Sequence, residues 1–236
     1  QIPKFLPAYI GLQFFSELTA LKKLTSNIKK PVTCIVGGSK ISTKMNIIEN
    51  LVTKFNNIII VGGMANNVLK YQDYEIGKSI YEEDCEKNVE RIFSLSKKYN
   101  CKITTPLDVL IGKKMNGESQ VKNLKDINKD DFILDIGPKT IKNTIDIIKQ
   151  TKTILWNGPA GYFENPNFAN GSIKIANFIA ERNQKKDIYS VAGGGDTVSF
   201  LNSINLTNNF NFVSTAGGAF LEYLEGKSLP GISALK

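Results

Sequence analysis

Ile188-Tyr189-Ser190-Val191-Ala192-Gly193-Gly194-Gly195-Asp196-Thr197 reads as an apolar, β-branched run of strand length, three glycines, and a polar pair opening a helical stretch through Val198, Phe200 and Leu201. The same order recurs upstream. Val32 to Val36 precedes Gly37-Gly38, Ile58 to Val61 precedes Gly62-Gly63, Phe132 to Ile136 precedes Gly137-Pro138, and Thr153 to Trp156 precedes Asn157-Gly158-Pro159. Phe212 to Ser214 before Gly217-Gly218 completes the series. Between these runs apolar residues return at helical spacing, as at Met45, Ile48, Leu51, Val52 and Phe55, and again at Ile173, Ala176, Ile179 and Ala180. Strands alternating with helices predict a mostly parallel sheet covered on both faces, with ligands at the carboxyl ends of the strands, where the glycines sit. The expected fold is therefore α/β: a three-layer, Rossmann-like domain with helices on both faces of the sheet.

The flanks read differently. Phe5-Leu6-Pro7 is a proline-broken stub and Gly11 to Leu24 is a long helical pattern ahead of the first strand. Met115 to Asp131 is polar, and its Asn116-Gly117 pair predicts a hairpin excursion. A short tail begins at Leu229-Pro230-Gly231 beyond the last helix, expected over Ala219 to Glu225.

Composition removes several functional classes. The 236 residues contain no histidine, which excludes Ser-His-Asp and Cys-His nucleophile pairs, HExxH zinc sites and imidazole bases. Cys34, Cys85 and Cys101 are odd in number and never in CxxC spacing, which argues against a disulfide framework or zinc knuckle and for a reducing cytoplasm. No apolar run reaches the roughly 18 residues of a bilayer span, so no membrane is expected, and a start without Met reads as that of a fragment. Thirty Lys and Arg against 22 acids give +8, but the lysines are scattered and only Arg91 and Arg182 are arginine. A nucleic-acid partner is not expected, whereas a polyanionic small ligand is.

Two standard nucleotide fingerprints fail. Gly77-Lys78-Ser79 has Gln72 where a Walker loop needs its leading glycine, and Val198 stands where GxGxxG needs its third. Gly193-Gly194-Gly195-Asp196-Thr197 instead offers backbone N–H groups to phosphate oxygens at a helix start, with Asp196 as a hard oxygen ligand for Mg²⁺; the plainer alternative is a tight turn with Asp196 or Thr197 as helix cap. Gly37-Gly38-Ser39-Lys40-Ile41-Ser42-Thr43-Lys44 places Lys40 and Lys44 at i and i+4, expected on one face of the first helical turns and both directed at phosphates, or else simply solvated. Asn157 to Glu164 (NGPAGYFE) is a turn-rich loop whose acid is suited to ribose hydroxyls, and Ser214-Thr215-Ala216-Gly217-Gly218 supplies a further set of backbone donors. Anion-friendly loops without a nucleophile point to phosphoryl transfer, yet neither arginine lies in any of them.

Together these stretches resemble the phosphoglycerate kinase family, specifically its nucleotide-binding half, over essentially the whole chain. GGSKISTK, Gly62-Gly63-Met64-Ala65, Gly77-Lys78-Ser79, Leu134-Asp135-Ile136-Gly137-Pro138, NGPAGYFE, GGGDT, STAGGA (Ser214 to Ala219) and Leu224 to Gly231 carry the resemblance in order. It implies that Lys40 bridges to the phosphoryl group in flight and Lys44 holds nucleotide phosphates, with Gly194 and Gly217 beside them as catalytic positions. Gly193, Gly194, Gly195 and Thr197 match the phosphate cradle, Asp196 the Mg²⁺ ligand, Asn157 and Pro159 the wall beside the nucleotide, and Glu164 the ribose acid. Gly38, Ser39, Gly62, Gly63 and Leu134 match the adenine slot. The family often has glycine at Ala216 and aspartate at Thr43.

The same resemblance divides the chain into 1–24 (end of an N-terminal domain and interdomain helix), 25–228 (nucleotide-binding domain) and 229–236 (a tail returning to the N-terminal domain). It implies ATP or ADP as substrate with Mg²⁺, and phosphoryl exchange with 1,3-bisphosphoglycerate or 3-phosphoglycerate, as in glycolysis, through an N-terminal domain these residues lack. The intact enzyme is expected to be a cytoplasmic monomer, and this chain alone a Mg-nucleotide binder without competent catalysis. Gly11 to Leu24 is expected to expose Leu12, Phe15 and Leu18. A non-catalytic nucleotide module is the alternative, and a dinucleotide binder is disfavoured by the failed GxGxxG.

Overall fold

The computed structural model describes residues 5–26 and 28–235. Residues 1–4 and 236, the ends of the two expected terminal segments, lie outside the described residues. Strands β1 (Val32–Val36), β2 (Asn57–Ile60), β3 (Lys102–Thr104), β7 (Thr153–Asn157), β8 (Tyr189–Ala192) and β9 (Phe212–Val213) form one sheet in the order β3-β2-β1-β7-β8-β9, every pair parallel. A smaller antiparallel sheet, β5-β4-β6, contains β4 (Asp108–Gly112), β5 (Gln120–Asn123) and β6 (Phe132–Ile136).

Strand alternation sends side chains to opposite faces, and the core divides accordingly. Val32, Cys34 and Val36 of β1, with Ile58 and Ile60 of β2, pack on one face. That face is covered by α1 (Leu12–Thr25), α2 (Met45–Val52), α3 (Gly63–Tyr71), α4 (Glu86–Tyr99) and α8 (Gly218–Leu224). Ile35, Ile59, Ile154 and Trp156 point the other way, onto α5 (Pro138–Gln150), α6 (Asn170–Gln184) and α7 (Gly195–Ser203). A last short helix, α9, runs over Pro230–Ser233. Both faces are covered, as the continuous apolar strands predict.

Two assignments change. The run Phe132 to Ile136 is β6, which belongs to the antiparallel sheet, because its neighbour in space is β4 (Val109↔Ile136) and not a parallel strand. The parallel sheet gains β3 in its place, whose three residues begin with exposed Lys102 and carry too little apolar pattern to be read. The expected excursion is the β4–β5 hairpin, closed at its tip by Gly117 N–H donating to the Lys114 carbonyl (3.0 Å). The small sheet packs Val109 and Ile111 on Leu69 of α3 and so stands beside the carboxyl ends of β1 and β2.

Candidate nucleotide site

Every parallel strand in the middle of the large sheet ends at the same edge, and the loops there enclose a cavity of about 380 Å³. One wall comes from Gly38 and Ser39 after β1 and Gly62 and Gly63 after β2. The floor comes from Leu134 and Asp135 of β6, and the other wall from Pro159 through Glu164, with Asp196 of α7 at the rim. Of the residues singled out in the sequence, the structure thus gathers Gly38, Ser39, Gly62, Gly63, Leu134, Pro159, Glu164 and Asp196 around one space. The apolar lateral surfaces are Ile80, Val109, Met115 and Phe163.

The walls are fixed by loop-to-loop hydrogen bonds. Met64 N–H donates to the Gly38 carbonyl (2.7 Å), Gly62 N–H to the Ala160 carbonyl (3.1 Å) and Tyr162 N–H to the Leu134 carbonyl (2.7 Å). Gly158 has φ +105° and its missing side chain would overlap the Gly37 backbone, so two loops cross here at a separation only glycine permits.

A second group of side chains adjoins this cavity. Lys44 Nζ donates to Asn157 Oδ1, Asn157 Nδ2 donates to the Gly193 carbonyl (2.8 Å), and Gly158 N–H donates to Thr197 Oγ1 (2.6 Å). A side chain at Gly194 (φ +93°) would meet Asn157 Nδ2. Thus Lys44, Asn157, Gly193, Gly194 and Thr197 form one knot across the ends of β1, β7 and β8. Burial lowers the Lys44 pKa, with the Cys34 sulfur and the Asp196 carboxylate pulling it back up. An anion beside Lys44 would favour the charged form that burial disfavours.

No side chain caps the start of α7. Thr197 is occupied as an acceptor for Gly158, which removes the plain capping alternative and leaves the first-turn N–H groups without a side-chain partner on an end that favours anions. Gly195 has open space at its Cβ position. Exposed Asp196 in that first turn fits Mg²⁺ shared with a phosphate, since this ion keeps most of its waters and takes one or two carboxylates. No group of three or more Cys, Asp or Glu suited to hold a metal by itself occurs among the described residues.

Three sequence expectations need adjusting. Lys40 and Lys44 do not share a helical face, because Lys40 precedes the single 3₁₀ turn Ser42–Lys44 that leads into α2; Lys44 turns inward to Asn157 while Lys40 stays exposed. Gly217 (φ +54°) opens α8 in open space and is not part of the cavity. Leu18 is half-buried, whereas Leu12 (89% exposed) and Phe15 (60%) are open as expected.

The two arginines are accounted for elsewhere. Arg182 is buried against Asp187 and the Thr151 carbonyl (2.8 Å), and Arg91 pairs with Glu49 at the surface. All three cysteines are buried and free, and burial pushes the Cys34 and Cys101 thiols up, which makes them inert.

Sequence reading gave no role to Glu17 or Asp135, yet both are buried acids, Asp135 in the cavity floor and Glu17 against the Ser214–Thr215 loop. Each carried a signal. Glu17 falls on the α1 stripe that buries Ala20, Leu21 and Leu24, and Asp135 interrupts an apolar strand.

Comparison with known proteins agrees with this fold. The family model described as phosphoglycerate kinase matches residues 1–227. The phosphoglycerate kinase of Caulobacter vibrioides is 44% identical over 237 residues, covering 100% of this chain and 60% of that protein. That of Francisella philomiragia is 43% identical over 238 residues, with 100% and 60% covered. The structure of phosphoglycerate kinase from Coxiella burnetii superposes with a TM-score of 0.90 at 39% identity, over 95% of this chain and 57% of that one. The enzyme from Pyrococcus horikoshii gives 0.83 at 25% identity, over 99% and 58%. The chain spans about 60% of the length of the curated relatives it matches. The match of the family model over residues 1–227 and the identity to these relatives show that the chain belongs to the phosphoglycerate kinase family.

Proposed function

We propose that these residues bind Mg-ADP or Mg-ATP as the nucleotide half of a phosphoglycerate kinase, an enzyme exchanging a phosphoryl group between 1,3-bisphosphoglycerate and ADP. The base and ribose occupy the 380 Å³ cavity, with Glu164 at the ribose hydroxyls and Leu134, Gly38, Ser39, Gly62 and Gly63 around the base. The phosphates lie on Gly193, Gly194, Gly195 and Thr197 beside Lys44 and Asn157. One observation carries this reading: the uncapped start of α7 adjoins both a mostly apolar cleft and a partly buried lysine.

Lys44 holds charge that accumulates on the nucleotide's terminal oxygens, and exposed Lys40 swings onto the transferring group from outside the cavity. Gly217, outside the cavity on the loop before α8, donates its backbone N–H to the same transferring group. Asp196 holds Mg²⁺, which when bound neutralises charge on the phosphate oxygens. The phosphoglycerate site lies outside these residues, since both arginines are engaged away from the cavity. The chain alone therefore binds nucleotide without useful turnover, and the reaction is placed in the cytoplasm. No helix among the described residues is long and apolar enough to cross a membrane.

Isothermal titration with ADP, with and without Mg²⁺, tests this reading. Saturable binding that weakens without the metal, and in Asp196→Ala, is expected; absence of binding in all conditions overturns it.

A further inference from the structure

Asp135 is 2% exposed and belongs to no step above, yet it lines the cavity and touches both the Gly161 loop and the start of α6. Its Oδ2 accepts from Gly171 N–H at the start of α6 (2.7 Å), and its Oδ1 accepts from Ile136 N–H (2.8 Å). A side chain at Gly161 would lie 2.6 Å from Oδ1, and one at Gly171 would overlap the same carboxylate. Two glycines therefore cradle one carboxyl group. The loop it abuts is also fastened to the neighbouring residue, Tyr162 N–H to the Leu134 carbonyl, and carries Pro159 and Glu164.

We infer that Asp135 is a positioning residue whose carboxylate, held by Gly171 N–H at the start of α6 and packed against Gly161, sets the wall of the base and ribose pocket as a spacer between that loop and α6. The inference rests on the nucleotide reading of the cavity. A carboxylate accepts from both N–H groups at once, whereas a protonated or amide group keeps one acceptor and presents a donor to the other. One of the two bonds then opens, the carboxyl group shifts in its glycine cradle, and the Gly161 loop loses its backing.

Burial raises the Asp135 pKa from 3.8 to about 7, with the Gly171 and Ile136 N–H groups pulling the other way. The carboxylate is thus held at a cost to stability that grows as pH rises from about 4 to about 7, while the ionised form keeps the wall in place. Other ionisable groups around it are Glu164 on the loop, Asp196 and Lys78 at the cavity, Asp108 on β4 and exposed Lys174 on α6.

Adenosine is the probe, because it has no phosphate and does not itself titrate between pH 6 and 8. Its affinity for this chain, measured by calorimetry, is expected to be at least threefold weaker at pH 6 than at pH 8. Asp135→Asn, checked for folding by its thermal transition, is expected to bind at pH 8 as weakly as the unsubstituted protein does at pH 6, with no pH slope between. Mg-ADP is titrated in parallel. If Mg-ADP binds while adenosine binding is flat with pH or undetectable, the role of Asp135 is overturned and the nucleotide reading stands. Should Asp135→Asn fail to fold, the slope of the unsubstituted protein decides alone. Binding of neither ligand at any pH overturns both.

Discussion

The Glu17 carboxylate accepts the Ser214 hydroxyl and the Thr215 backbone N–H, each at 2.8 Å, and so joins α1 to the loop between β9 and α8. Glu17 and Ser214 are both buried, so this is a sequestered carboxylate held by these two donors and, at 3.3 Å, by the Thr215 hydroxyl. It couples the entry helix to the loop that carries Gly217. Glu17→Ala leaves these donors unpaired, which costs about 2 kcal/mol. In a chain of this length that lowers the thermal midpoint by roughly 6 °C. Differential scanning calorimetry measures it, and an unchanged midpoint means that water replaces the carboxylate at no cost.

Lys44 is fixed on Asn157 before any ligand arrives. Replacing it with methionine keeps the stem and removes the charge, so the loss reports phosphate contact and not packing. Mg-ADP affinity is expected to fall by about 2 kcal/mol, roughly thirtyfold, while adenosine affinity is unchanged. Calorimetry of both ligands checks the split. Equal losses would assign Lys44 to the fold of the β1 and β7 ends instead.

Much of this site was readable because glycine spacing is tied to backbone geometry. Gly158 and Gly194 need positive φ and close approach, and no other residue meets that need, so GGGDT and NGPAGYFE mark themselves. The Lys44–Asn157 pair was not readable as a contact, because 113 residues separate its members and only sheet order brings β1 beside β7. The same limit hid β6: its residues read as a buried strand in either sheet, and its pairing with β4 is decided by the hairpin that places β4 next to it. Lys40 was misplaced because its spacing from Lys44 was read on a helix, whereas the backbone there makes a 3₁₀ turn.

Asp131 is fully buried between Lys113 (2.8 Å) and Lys122 (2.7 Å). Burial alone would raise its pKa, but hydrogen bonds from the two lysines and Asn128 N–H bring it down from 3.8 to about 2. The stability it contributes is therefore complete above pH 4 and is lost as pH falls through about 2. Asp131→Asn leaves Lys122, only 11% exposed, without its charge partner, and is expected to cost about 3 kcal/mol at neutral pH. Urea unfolding at pH 7 and pH 2.5 reads both effects: the difference between variant and parent should narrow at the lower pH, and a constant difference would assign the loss to packing.

Leu12 and Phe15 project from α1, and Phe5, Leu6 and Tyr9, a few residues earlier in the chain, are exposed as well. Large apolar side chains grouped this closely along the chain are unusual on a monomer's surface and favour association. A second copy of this chain is the partner always present in a purified sample. Sedimentation velocity at rising concentration is expected to show reversible self-association, and Leu12→Glu with Phe15→Glu to abolish it. Neither residue lines the nucleotide cavity, so Mg-ADP affinity in the double variant should equal that of the parent. A monomeric profile for the unsubstituted chain at the highest attainable concentration would mean that the exposed face is too small or too mobile to pair with itself.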